Sequence, residues 1–345
     1  MNKRKQVFFL GAGFSKAINP AYPLMNELCT DILGQLELGT DTISAHYKTE
    51  IPENIKNNVE HLLTYLSTDF PWKQENNYTD RALYERISRM IGQHFQQLDK
   101  NGEHSNNDLF NRLIAGFLEN PLCDIITLNY DVLIEKAMEK YVENNGQPYL
   151  PWERLYPYPL SWIGSRTIPV AGTWRGTLFS QRLPSIIKLH GSVNWYHAGA
   201  SSSDTLYYRN YNSNETDHMT VGLVPYIIPP VMDKNAFYNH TAIRHLWQAA
   251  AHLLKEADDV FIIGFSFPPT DTAVRFLFRT ALNPHADVHI IDISDENTLK
   301  ESHKGLFGHR QVNYRYCGNT PVPPLERFIR ENMPIPTTQA TGVAQ

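Results

Sequence analysis

Gln6-Val7-Phe8-Phe9-Leu10-Gly11-Ala12-Gly13-Phe14-Ser15 is the stretch whose reading decides the fold. The run at 6–10 is short and almost continuously apolar, the mark of a strand buried on both faces. Gly11 and Gly13 break it, and a helix pattern follows with Leu24, Leu28, Ile32 and Leu36 on one stripe. Lys3-Arg4-Lys5 ahead of the run imitates a secretion signal. The apolar part is short and interrupted by two glycines, so it reads as a first strand entering a glycine turn.

Strand patterns recur at 122–128, 186–189, 260–263, 288–291 and near 311–317. Helix patterns stand beside them from Asp131, at about 241–256, at about 271–282 and at about 323–332. Strand and helix in alternation predict an α/β fold, a Rossmann-like parallel sheet with helices on both faces. Residues 39–117 lack any strand-like run and carry helical stripes (Val59, Leu62, Leu63, Leu66, then Leu83, Ile87, Met90, Ile91), which predicts an inserted α-helical module. The expected organisation is one α/β domain over 1–333, with its sheet core at about 1–38, 118–145 and 184–333. The helical module occupies 39–117. An aromatic- and Pro-rich insertion with Trp152, Trp162 and Trp174 occupies 146–183, and 198–220 is a Ser/Asn/Tyr-rich loop. A flexible tail runs over 334–345.

The chain has 345 residues, 42% hydrophobic and 19% charged, which is enough apolar material for a core and excludes disorder of the whole. A net charge of -5 argues against a protein that works mainly by gripping nucleic-acid phosphates. Three cysteines, Cys29, Cys123 and Cys317, lie far apart with no CxxC, which excludes a zinc ribbon and suits free thiols in a reducing compartment, the cytoplasm. No apolar run is long enough for a membrane span. No metal site is expected.

In an open parallel sheet, ligands bind beyond the carboxyl ends of the strands. Each of five apolar runs here ends in a small or hydrogen-bonding cluster: Gly11-Ala12-Gly13-Phe14-Ser15, Asn129-Tyr130-Asp131, His190-Gly191-Ser192, Gly264-Phe265-Ser266, and Asp292. Gly11 and Gly13 would let backbone N–H groups approach a pyrophosphate, and Ser15 would add a hydroxyl. Gly264 and Ser266 suit a second close approach, and Asp292 suits a ribose diol. Asn129 can hold a water or a ribose hydroxyl without changing charge. His190 can take a proton near neutral pH. Bland readings stand beside these: a turn for the glycines, a helix cap for Asp131 or Asp292, a core histidine for His190, a surface ion pair for Asp271 and Arg275.

In this order the segments resemble the sirtuin-like (silent information regulator two) family. Ile227-Ile228-Pro229-Pro230 with Lys234, and Phe265-Ser266-Phe267-Pro268 with Asp271 and Arg275, look like its bacterial antiphage-defence branch. The protein deacylases of the family carry a Gly-Ile-Pro-x-Phe-Arg stretch and a four-cysteine zinc module. Here Asn19-Pro20-Ala21-Tyr22-Pro23-Leu24-Met25 follows the glycine loop instead. The resemblance implies an NAD+ hydrolase that cleaves the nicotinamide–ribose bond to ADP-ribose and nicotinamide, with NAD+ as substrate and no metal. It implies Asn129, His190 and Asp131 at the reaction, and Gly11, Ala12, Gly13, Ser15, Gly264, Ser266 and Asp292 around the dinucleotide. It further implies a homo-oligomer, or a subunit beside an ATPase or helicase partner, restrained until a phage-derived trigger arrives, with neither membrane nor direct nucleic-acid contact. The rival readings are a protein deacylase or ADP-ribosyltransferase, and a non-catalytic sensor of NAD+ or ADP-ribose.

Overall fold

The computed structural model describes residues 4–101, 108–146, 150–162, 182–197, 206–209, 223–232 and 234–335. β1 (Gln6–Leu10) leads into α1 (Ala12–Ile18) and α2 (Met25–Leu38). Four helices follow: α3 (Thr42–Glu50), α4 (Glu53–Lys56), α5 (Val59–Ser67) and the long α6 (Asn76–Asn101). Side chains start two of them, Asp41 accepting from the N–H groups of Ile43 and Ser44, and Asn58 from those of Glu60 and His61. Next come α7 (Asp108–Glu119), β2 (Cys123–Thr127), α8 (Leu133–Asn144), a 3₁₀ turn at Trp152–Arg154, β3 (Leu160–Trp162) and β4 (Ile186–Lys188). β5 (Gly191–His197), β6 (Leu206–Tyr208) and β7 (Val224–Ile227) precede α9 (Asn235–Tyr238) and α10 (Thr241–Glu256). The chain closes with β8 (Asp259–Ile263), α11 (Thr272–Ala281), β9 (Asp287–Asp292), α12 (Glu296–Ser302), β10 (Val312–Cys317) and α13 (Pro324–Asn332).

The six runs read as strands form one sheet in the order β10-β9-β8-β1-β2-β4, parallel throughout. β1 lies at the centre, with later strands added first to one side and then to the other. That reversal opens a crevice at the carboxyl ends of β1 and its neighbours. Successive side chains of a strand face opposite ways. Phe8 meets Phe117 of α7 (4.8 Å) and Phe328 of α13 (6.4 Å), whereas Phe9 meets Phe278 of α11 (5.0 Å) and the Phe265–Phe267 pair. Helices therefore cover both faces, as a Rossmann-like sheet requires.

Two features depart from the expected outline. α7 lies inside the stretch read as a helical module, but Phe117 packs on the sheet. A second sheet, β3-β6-β5-β7, stands beside the first. β5 carries buried Ser192 and Asn194 where a strand pattern would show apolar residues. They are satisfied by each other (2.6 Å), by Tyr130 O and by Arg209 O, so hydropathy conceals the strand. β3 lies in the segment read as irregular and β6 in the segment read as a loop. Trp152 is fully buried. Trp174, most of the 198–220 loop and the tail beyond residue 335 lie outside the described residues. His285 and His289 stand four apart, yet β9 carries His289 stacked on Phe261 at 4.7 Å, so the two share no helix face.

Candidate active site

The strand-tip clusters converge on a cavity of about 530 Å³ at the carboxyl ends of the parallel sheet. Ala12, Gly13, Ser15, Asn129, Asp131, His190, Gly264, Ser266 and Asp292 all line it. Gly11 stands behind the wall. The helical module supplies the opposite side with Asn58, Val59, Glu60 and Phe95.

The glycines bring two loops together. A Cβ on Gly11 would lie 2.5 Å from Gly264 O, and one on Gly264 would lie 2.3 Å from the Phe14 nitrogen. Gly264 also has φ +63°, a conformation that costs a non-glycine residue. The N–H of Gly11 donates to Ile263 O and that of Gly13 to Gly264 O, both at 3.0 Å. Those two donors are engaged within the protein, so these glycines shape the wall and do not offer their own N–H groups to a pyrophosphate.

Asn129 is held from behind. Thr127 Oγ1 accepts from its backbone N–H at 3.0 Å. Its amide Nδ2 donates to Gly11 O and to Ser15 Oγ, each at 2.9 Å. A carbonyl can only accept, so the amide orientation is settled and Oδ1 is left as an acceptor with no hydrogen-bond partner among the described residues. Ser15 in turn donates to Asp131 Oδ2 at 2.8 Å. Its hydroxyl is therefore occupied on both sides, and the phosphate-donor role read from sequence gives way to a bracing role. Asp131 also accepts from the N–H of Leu133 at 3.2 Å, so it turns the chain into α8 as well. Burial raises its pKa, against the opposing pull of Lys188, the Ser15 hydroxyl and the Leu133 N–H. Lys188, itself 1% exposed, donates to Asp131 O and lies 3.3 Å from Glu135.

His190 is buried where the chain leaves β4 for β5, and its main-chain carbonyl accepts from the N–H of Ile228. Its Nε2 is buried and has no hydrogen-bond partner among the described residues. Burial, and then the Lys234 ammonium, push the imidazole pKa down to about 3, with Asp271 pulling the other way. The ring is therefore neutral at physiological pH. Lys234 and Asp271, both lining the cavity, pair at 2.5 Å with 7% and 11% side-chain exposure. This corrects the expected surface pair of Asp271 with Arg275, whose guanidinium donates instead to Phe267 O at 2.7 Å. A lone Lys and a lone Asp, 37 residues apart, gave no pattern by which spacing could pair them.

Asp292 Oδ1 accepts from the N–H of Ser294 at 2.8 Å, the turn reading, while the residue still faces the cavity. Ser266 is exposed at the rim. Among the described residues no group of three or more His, Cys, Asp or Glu is placed to hold a metal, and no helix is long and apolar enough to cross a membrane.

A family model described as SIR2-like domain matches residues 124–307, more than half of the chain. The chain belongs to the SIR2-like family. No curated protein matches it. Among solved structures, one determined for the structural basis of sirtuin substrate affinity is 15% identical, with 96% of this SIR2-like chain and 94% of that chain covered and a TM-score of 0.43. Sir2Tm bound to a propionylated peptide is 14% identical (96% and 92% covered, TM-score 0.43), and Sir2 with a p53 peptide and NAD+ is also 14% identical (96% and 92%, TM-score 0.41). The SIR2-like match spans Asn129, Asp131, His190, Gly264, Ser266 and Asp292, and leaves the glycine loop at 11–15 outside it.

Proposed function

We propose that this SIR2-like protein is an NAD+ hydrolase that cleaves the nicotinamide–ribose bond, releasing nicotinamide and ADP-ribose. One observation carries the reading: His190, whose buried Nε2 has no partner among the described residues, lines the same cavity as Asn129, whose amide oxygen is left free. A buried polar atom left unpaired in a cavity wall awaits a ligand or a water. The cavity volume lies within the range of small-molecule sites. Leu24, Met25, Phe95, Phe265 and Ile293 supply apolar surface for flat rings. Glu60, Asp131, Asp271 and Asp292 stand against the single ammonium of Lys234, a balance that suits a cationic ring and the positive charge that grows on the ribose as the bond breaks.

Asn129 Oδ1 would accept from a water or a ribose hydroxyl, its direction fixed by Gly11 and Ser15. Neutral His190 Nε2 would accept a hydrogen bond from that group, which a protonated imidazole could not do; burial makes the ring a weaker base than the proton uptake near neutral pH expected from sequence would need. Asp131 would act through Ser15. Ala12, Gly13, Gly264 and Ser266 would wall the dinucleotide, and Asp292 would offer its second oxygen to a ribose. A hydrolase of this kind, unrestrained, would drain its own cell, so the reading includes a restraint, by an oligomer or a partner subunit, until a phage-derived trigger arrives in the cytoplasm.

The test is nicotinamide release from NAD+ by the purified protein beside Asn129→Ala and His190→Ala. Each substitution is expected to lower the rate by about 100-fold. Equal NAD+ loss in all three would sink the proposal. Deacylation of an acyl-lysine peptide, or transfer of label from NAD+ to protein, would select the rival enzymes. Tight binding without turnover under any trigger would select the sensor.

A further inference from the structure

Helix α6 lies across the loops that carry the site. Phe95 and Asp99, four residues apart, share one face of it. Phe95 meets the Tyr130 ring edge-on at 5.7 Å, and Gln96 Nε2 donates to Val193 O at 2.9 Å. Asp99 is 0% exposed. Its Oδ1 accepts from the Tyr22 hydroxyl at 2.7 Å and its Oδ2 from the Val132 N–H at 3.2 Å. Tyr22 follows the glycine loop and lines the cavity, and Val132 follows Asn129-Tyr130-Asp131 directly. Lys136 of α8 donates to the Asp99 carbonyl. Between them the two clasped loops hold every group that orients the Asn129 side chain.

We propose that Asp99 is a positioning residue through which the seating of the helical module sets the placement of Asn129. This rests on the reading of Asn129 as a group at the reacting bond. Packing alone would favour a leucine here, because a carboxyl group without donors is costly to bury. Asp99 instead receives a donor from each loop. The titratable groups facing it are Asp131 of the site loop, Tyr22, Lys136 of α8 and Lys188 of β4. Burial, then Asp131, raise its pKa to about 7 against the pull of the other three. Its charge thus changes in the neutral range, and Asp99→Asn imitates the protonated clasp. Asparagine can still accept from Val132, and its amide can donate to a Tyr22 oxygen that turns acceptor.

The experiment compares wild type, Asp99→Ala, Asp99→Asn, Tyr22→Phe and the exposed-face control Gln97→Ala. Kinetics of nicotinamide release are measured beside hydrogen exchange at the Val132 amide. Asp99→Ala is expected to lower kcat at least tenfold, to change KM by less than threefold and to speed Val132 exchange at least tenfold. Asp99→Asn is expected to recover to within threefold of wild type, and Gln97→Ala to match it. Wild-type kcat and exchange in Asp99→Ala would overturn the proposal, as would equal loss in the alanine and asparagine variants. Should Asp99→Ala not fold, Tyr22→Phe decides, with slower turnover and faster Val132 exchange supporting the clasp and neither change refuting it. A wild type that turns over no NAD+ under any trigger would end the hydrolase reading, and with it the link to catalysis. Val132 exchange would then judge the structural clasp alone.

Discussion

At the residue scale, His190 shows how burial assigns a role. An unfolded histidine titrates near 6.5, whereas His190 takes its proton only near 3. Between those values the unfolded chain holds a proton that the native chain lacks. Its contribution to stability is whole above pH 6.5 and is lost as pH falls toward 3, at a slope of up to about 1.4 kcal/mol per pH unit. His303, also buried and lowered to about 4, adds a similar loss over a shorter range. His190→Gln should flatten the acid limb of a series of urea titrations between pH 7 and 4, and an unchanged limb would show that the imidazole is not buried neutral. Gly264 makes a second case. Its φ of +63° and the 2.3–2.4 Å approach to Phe14 and Gly13 leave no room for a methyl group. Gly264→Ala should destabilise by about 2 kcal/mol or more in chemical denaturation and displace both walls of the cavity.

At the element scale, the Lys234–Asp271 pair joins the segment after β7 to the start of α11. Lys234→Met would leave a carboxylate in a mostly buried place and should cost about 3–5 kcal/mol. The double variant Lys234→Met/Asp271→Asn should recover part of that loss, and full additivity in the double-mutant cycle would show that the pair is not coupled. The legibility of the elements follows the same physics. The six parallel strands were readable because strands buried on both faces must be nearly all apolar, as Phe8-Phe9-Leu10 and Ile125-Ile126 are. That Asn129, His190, Gly13 and Gly264 stand around one cavity was readable because the tips of neighbouring parallel strands converge. β5 was not, since Ser192 and Asn194 are buried against hydrogen-bond partners supplied by distant segments. Asp99 was missed, and Lys234 and Tyr22 were quoted without their partners, for a related reason. Each takes its meaning from a partner far away in the chain, and no local pattern announces such a pair.

At the scale of the whole molecule, the sheet and the helical module share one continuous core. Buried residues from α5 and α6, such as Leu62, Leu63 and Ile87, belong to the same cluster as Phe8, Phe9 and Ile262. The cavity lies on that seam, so the module cannot come away without dismantling the site. Unfolding is expected to be one cooperative transition, with far-ultraviolet circular dichroism and tryptophan fluorescence coincident. An earlier loss of helical signal alone would show that the module melts separately.

Gly191, finally, stands at a joint. The chain leaves the parallel sheet at Lys188 and joins the second sheet at Gly191, which pairs antiparallel with β7; the φ of Gly191 is +76° and its Cβ, if it had one, would lie 2.1 Å from Tyr226 O. His190 is thus clamped between two independent ladders with a single residue of freedom on one side. A change that disturbs the Gly191–Ile227 pairing would therefore shift the imidazole as well, so the outer sheet holds a residue of the cavity wall in place although its own strands do not line the cavity.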